Sequence, residues 1–299
     1  MLTRRLSPVQ ADGLLVSVTM LAACGWIFSR EAVAGFLPLT FMGLRFTGAG
    51  LILILLSWNS LKKLTYEQWV AAVRVGLLFS VAMVFWITGL RLTTHLGVGS
   101  FLCSLGLVMV PVVGLFFGER QGLAAYLSLP VALAGLACLS LDSEFHLGLP
   151  EICFLISAAI FALMYVLNSH AAAKTPALPL TAVQLSITGV LMMLAALIFE
   201  PLSLSQPPAM WGWLLGSLLV ATCMRFVLQT YAMGMSSPSH SAIIMNLEPV
   251  WTALLAAMWF GERMSGLQFT GCGLIFSALL VNRWPMVRQW LRQQRKAAS

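Results

Sequence analysis

The residues best suited to chemistry lie in one short stretch, Asn246-Leu247-Glu248-Pro249-Val250-Trp251. A carboxylate and a proline stand there inside an apolar run that continues to Phe260 and ends at Gly261-Glu262-Arg263. An ionisable side chain in such a run is costly, and by default it marks a pathway or a binding site. A proline at the same depth frees a backbone carbonyl that neighbouring helices or water must satisfy. Glu248 therefore reads as a substrate, proton or counter-charge site lining a cavity, or as the structural partner of an arginine. Arg225, in the preceding apolar run, is the natural partner. Its guanidinium can pair with Glu248, take a substrate carboxylate in a bidentate geometry, or face a water-filled vestibule; pairing is the reading we favour. Asn246 lies two residues before Glu248, about 200° around a helix, so both reach one cavity only where Pro249 unwinds that turn. Gln229 and Tyr231 follow Arg225, Trp86 lies in an earlier run, and Asn168 is one turn beyond Tyr165 on the same face. Each aromatic residue among them also fits an interfacial belt or helix packing. Arg45 reads as structural, near an interface where its head can snorkel.

Other chemistries find little support. His95 and His240 stand at the starts of apolar runs with no second His or Cys at ligand spacing, which argues against a metal site. No Gly-x-x-x-x-Gly-Lys-Ser/Thr occurs, so direct ATP hydrolysis by this chain is not expected and no cofactor is implied. Gly97, Gly99, Gly271 and Gly273 instead suit close helix packing. Cys24, Cys103, Cys138, Cys153, Cys223 and Cys272 all fall in apolar runs, without a Cys-x-x-Cys, and read as small buried hydrophobes. An intramembrane enzyme such as a lipid transferase would need a His/Asp/Cys cluster at useful spacing, which the sequence lacks; the expectation is not an enzyme. A receptor or scaffold without flux is a third class.

These residues need elements to hold them. The chain of 299 residues is 60% hydrophobic and 9% charged, against about 25% charged in ordinary soluble domains. So little charge cannot solvate a soluble body of this size, and the chain reads as an all-α polytopic membrane protein. The apolar runs are continuous and near 20 residues rather than alternating, which sets aside a β-barrel. Ten spans are expected at about 10–30, 37–57, 69–90, 95–117, 122–141, 149–169, 178–199, 210–232, 240–260 and 266–284. The first resembles a signal peptide, and Leu21-Ala22-Ala23-Cys24 a lipoprotein cleavage box. Apolar character nevertheless continues past Cys24 to Phe28, and we read the segment as a retained span. Ten spans put both termini on one side. Twelve Lys and Arg fall on that side against Arg30, Arg91 and Arg263 on the other, which places both termini in the cytoplasm. The net charge of +7 collects at Arg4, Arg5, Lys62, Lys63 and a tail of Arg288, Arg292, Arg295 and Lys296. That pattern suits a lipid-surface anchor and not nucleic acid.

Gly118-Glu119-Arg120 aligns with Gly261-Glu262-Arg263 at an offset of 143, and Cys103 to Leu107 then falls on Asn246 to Val250. The chain thus divides into a first five-helix repeat at 1–146, a second at 147–284 and a basic cytoplasmic tail at 285–299. An odd number of spans per repeat inverts the second copy, and inverted repeats place a site at the bilayer midplane between the halves. The order of motifs resembles the drug/metabolite transporter superfamily, and within it the EamA-type ten-span carriers. The resemblance rests on Gly25-Trp26-Ile27-Phe28-Ser29-Arg30, Leu39-Thr40-Phe41-Met42-Gly43-Leu44-Arg45-Phe46, the stretch from Phe101 to Arg120, and the stretch from Asn246 to Arg263. It departs from a strict repeat at Gly106, which stands where the second copy has Pro249; the first copy's proline sits later, at Pro111. The resemblance implies a secondary carrier of the inner membrane, a monomer or weak dimer, with spans 1, 3, 4, 6, 8 and 9 around a central cavity. It implies outward movement of a small metabolite, most plausibly an amino acid. Aromatic and Met-rich cavity candidates suit apolar or aromatic side chains. Proton-coupled export of cationic drugs, with Glu248 as the exchanging carboxyl, is the alternative within transport.

Overall fold

The computed structural model of the chain describes residues 7–92, 96–119, 122–140, 148–201, 205–260, 265–267, 269–278, 280–281 and 284. The described residues are helical without strands: α1 Pro8–Ala32, α2 Pro38–Leu61, α3 Tyr66–Leu92, α4 Leu96–Phe116, α5 Leu123–Ser140, α6 Leu149–Lys174 and α7 Ala177–Phe199. A composite helix follows, made of α8 Pro208–Leu218, a π turn Leu219–Met224 and α9 Arg225–Met233. After it come α10 Pro238–Met245, α11 Glu248–Phe260 and an apolar helix α12 Phe269–Ala278.

Local chemistry sets where these helices begin. Ser7 caps α1 in a capping box with Gln10, and Pro8 supplies the preset φ of the first turn. Ser237 and Pro238 open α10 in the same manner. The first turn of α2 has no side-chain cap of its own. Glu200, the residue after α7, supplies one from across the bundle: its carboxylate accepts from Leu39 N at 2.9 Å, Thr40 N at 2.8 Å and Thr40 Oγ1 at 2.9 Å. An acid there also suits the positive end of the α2 dipole.

Seven of the helical stretches are long and apolar enough to cross a membrane, and Leu102–Phe116, Tyr126–Cys138 and Phe269–Ala278 are shorter apolar helices. Large apolar side chains cover the outside: Leu51, Leu55 and Leu56 on α2 and Val190, Leu194 and Ile198 on α7 are all exposed. That is the surface of a chain whose solvent is lipid; on a water-soluble monomer so much contiguous apolar area would drive association. Aromatic groups gather at the two ends. Phe28, Trp213 and Trp259 stack in series at one, with ring centroids 5.9 and 5.7 Å apart, and Trp58, Trp69 and Tyr66 are exposed at the other.

The closest helix contact is α2 against α7. A Cβ on Gly189 would collide with the backbone of Phe46 and Thr47, and one on Gly50 would meet Ser186 Cα at 2.8 Å. Small residues permit this approach, as close packing within lipid requires. Gly273, expected to serve the same purpose, has no atom within 4 Å of where its Cβ would sit. Gly135 on α5 is instead the crowded position, 2.9 Å from the Gly271 carbonyl. Among the cysteines all six are free, with Cys153 and Cys223 buried. Arg120, the acidic loop after α5, Gly261-Glu262-Arg263, His95 and the basic tail lie outside the described residues.

Candidate functional site

The break between α10 and α11 creates the site. Asn246 N bonds back to Ala242 O and Ile243 O, Leu247 N bonds to Ile244 O at 3.0 Å, and the helix restarts at Glu248 with Pro249 in its first turn. The proline has no N–H to donate, so the turn before it is free to tighten. The restart turns Glu248 into a cavity of about 180 Å³ near the middle of the bundle.

The Glu248 carboxylate is held from two sides. Trp26 Nε1 of α1 donates to Oε1 at 3.0 Å, and Arg225 Nη2 of α9 reaches Oε2 at 3.4 Å. The pairing favoured from sequence is therefore present, as a long contact between side chains 18% and 20% exposed. Trp26 meets Trp86 of α3 edge-on at 5.2 Å, so the carboxylate borders an aromatic corner. The Phe226 ring lies 4.4 Å behind the Arg225 guanidinium. Phe226, Phe79 and Phe46 stack edge to face at 5.3 and 5.6 Å, and Phe161 joins Phe79 at 5.9 Å.

A second guanidinium lines the same cavity. Arg45 was expected near an interface, its head snorkelling to water; it is instead 8% exposed and points into the bundle. Its Nε donates to Thr222 Oγ1, its Nη1 to Ser29 Oγ at 3.0 Å and its Nη2 to the Ala221 carbonyl at 3.4 Å. The π turn explains this. It inserts one residue into the helix and offers backbone that a regular helix would use internally; the Thr222 hydroxyl bonds back to Ser217 O, five residues earlier. Gly25 lets α1 lie against this turn, since a Cβ there would stand 2.8 Å from Ala221 Cβ.

Of the residues singled out by sequence, Glu248, Arg225, Trp86, Tyr165 and Gln229 line the cavity. Gln229 Nε2 leans on Met233 Sδ at 3.7 Å while its Oε1 is unpartnered. The buried Tyr165 hydroxyl makes no hydrogen bond. Asn246, Asn168 and Tyr231 do not line the cavity. Asn246 is buried with both amide atoms unbonded: the turn does unwind as required, but it carries Asn246 into the packing rather than toward Glu248. Asn168 is buried with its Nδ2 3.6 Å from Met233 Sδ, and Tyr231 is half-buried outside the lining. Sequence reasoning missed Trp26, Ser29 and the inward course of Arg45. The lining also includes Cys103 and Ser104 of α4, and Met42 and Phe46 of α2, a helix outside the expected set.

On the side of the cavity nearer the α1 N-terminus the bundle is sealed. Leu15, Val18, Val110, Val166, Met233 and Ile244 form a separate buried apolar cluster. Two His–carboxylate contacts flank it: His240 Nε2 to Asp12 Oδ1 at 2.9 Å, joining α10 to α1, and His170 Nε2 to Glu119 Oε1 at 2.7 Å, joining α6 to the end of α4. Among the described residues no group of three His, Cys, Asp or Glu could hold a metal ion.

The model of the EamA-like transporter family matches residues 10–141 and again 149–284. An uncharacterized transporter of Archaeoglobus fulgidus is 25% identical over 189 residues, which is 63% of this chain and 67% of that protein. The uncharacterized transporter YcbK of Bacillus subtilis is 28% identical over 127 residues, and the matched part spans 41% of each protein. A solved crystal structure superposes with a TM-score of 0.80 at 19% identity, covering 95% of this chain and 99% of the other, which establishes a shared fold. With a family model accounting for nearly the whole chain in two successive matches, this multi-pass membrane protein belongs to the EamA-like transporter family.

Proposed function

We propose that the protein is a secondary transporter that exports small metabolites, most plausibly amino acids, through the central cavity by alternating access. The single observation carrying this reading is the Glu248–Arg225 contact inside an aromatic-lined cavity at the middle of the bundle. Charged groups at such depth are kept where a solute must be bound and released. The sealed end near Asp12–His240 and the cavity beyond it are what one half of an access cycle requires; opening would part α1 from α10 and α4 from α6.

The architecture in this proposal is ten spans in two inverted five-helix repeats, 1–146 and 147–284, with both termini and the 285–299 tail on the cytoplasmic face of the inner membrane. Three features support it. The family model matches twice, once per half. The shorter helices α4, α5 and α12 fall where the fourth, fifth and tenth spans are expected. The packing is reciprocal: α6 lies on α3 and α4 of the first half, as α1 lies on α8, α9, α10 and α11 of the second, and α2 faces α7.

The test is counterflow in liposomes containing the purified full chain, with a panel of radiolabelled amino acids. Saturable exchange of one of them supports the reading, and binding without movement of any of them removes it. Proton-coupled export of cationic compounds is the second reading, favoured by the carboxylate in the cavity wall. It requires a steep pH dependence of export that disappears in Glu248→Gln.

A further inference from the structure

The charges facing the cavity do not balance. Among the described lining residues the ionisable carboxylates and guanidinium groups are Arg45, Arg225 and Glu248, so two cations face one anion. The anion is also occupied: Oε1 takes the Trp26 indole N–H and Oε2 takes Arg225. Donor capacity is unspent on the other side. Arg225 makes one long hydrogen bond, and its Nε–H is buried without a partner, although a guanidinium carries five donors in a fixed fork. Arg45 is locked in place by Ser29, Thr222 and Ala221, which leaves its charge fixed at the cavity wall. A buried donor left unsatisfied is costly, and a carboxylate matches a guanidinium fork better than any other small group. The remaining unpartnered atoms, Gln229 Oε1 and the Tyr165 hydroxyl, are neutral. They can receive an ammonium, with weaker bonds than an ionised partner would make. The rest of the wall is aromatic: Trp26, Trp86, Phe46, Phe79, Phe161 and Phe226.

We infer that the cavity recognises its ligand by a carboxylate, held by Arg225 in the field of Arg45, on an apolar or aromatic body, and that an ammonium group on the ligand is dispensable. The class is monocarboxylates, with amino acids as a subset. This rests on the transport reading above and deepens it at the same site.

The experiment uses three probes with the same body and different charge: 3-phenylpropionate, L-phenylalanine and phenethylamine. Counterflow of each is measured in liposomes containing the full chain. The expected order has 3-phenylpropionate and phenylalanine within about threefold of each other, and phenethylamine at least tenfold slower. In Glu248→Gln the ratio of phenylpropionate to phenylalanine flux rises at least threefold, because the wall loses its negative charge. In Arg225→Gln, monitored for folding by melting and gel filtration, exchange of both acids falls at least tenfold. Phenylalanine exchange without phenylpropionate exchange overturns the inference and leaves the carrier standing. Phenethylamine moving at least as fast as the acids also overturns it, as does an unchanged flux ratio in Glu248→Gln. Failure of all three probes to exchange removes the carrier reading and this inference with it.

Discussion

Glu200→Ala should destabilise the fold without touching the cavity, and the size of the loss follows from the geometry of the α2 cap. The carboxylate is 8% exposed and accepts three hydrogen bonds, from Leu39 N, Thr40 N and Thr40 Oγ1. A net hydrogen bond to a charged group is worth about 1.5–3 kcal/mol, and leaving a buried donor without a partner costs about 1–3 kcal/mol. Thr40 is buried, so its amide loses nearly the full amount; Leu39 is half-buried, and water can take over its bond. The helix-terminus charge adds roughly 0.3–1 kcal/mol. The expected loss is about 3 kcal/mol for Glu200→Ala and about half that for Glu200→Gln, which keeps one acceptor but no charge. Thr40→Val removes only the hydroxyl bond and should cost about 1 kcal/mol. Because both changes break one network, the double variant should cost less than the sum by about 1 kcal/mol. Denaturant unfolding of the purified full chain in detergent measures all four. Substrate exchange per folded molecule should stay at the wild-type level, since Glu200 does not line the cavity. If the Ala and Gln variants both unfold within about 0.5 kcal/mol of wild type, the cross-bundle cap is not holding α2 and the accounting is wrong.

Gly189→Ala must push α2 from α7, because the new methyl meets the backbone of Phe46 and Thr47; it should cost about 1–3 kcal/mol in the same unfolding assay, whereas Gly273→Ala, with open space around it, should be neutral or slightly stabilising. Arg225→Ala leaves Glu248 with Trp26 as its remaining partner in the bundle and should cripple transport or folding, so wild-type flux together with wild-type melting in that variant would dismiss the pairing as important. Single cysteines at positions 119 and 262, in a background cleared of the native six, should react with impermeant maleimides from opposite faces of the membrane; reaction of both from one compartment would rule out inverted repeats.

How much of this was legible beforehand depends on how far apart the interacting residues lie. The helix starts at Pro38, Pro208 and Pro238 and the break at Pro249 follow from local backbone chemistry, and they were readable in the residues themselves. Glu248 and Arg225 were visible because a charge in an apolar run has few uses. Trp26 was not: it stands among other apolar residues, and the bond that gives it a purpose reaches across 222 positions. Arg45 was visible as a charge, but its direction was not, because the groups that receive it belong to a π turn with neither glycine nor proline to announce it. Asn246 shows the opposite failure. The unwinding that would free it was foreseen, but which way the loosened turn would roll depends on the packing of Met245 and Leu247 against other helices.

That π turn has a consequence for how the protein tolerates changes in length. A π turn holds one residue more than the helix around it needs, so Arg225, Phe226 and Gln229 owe their direction to a count rather than to their neighbours' chemistry. Deleting a single residue between Leu219 and Met224 would let the strand of carbonyls close into an ordinary α-helix and swing everything after it by about 100°. The hydropathy of the segment would barely change and the chain would still insert, but the guanidinium of Arg225 would look out at lipid and the cavity would be left with Arg45 and Glu248 alone as its charged walls.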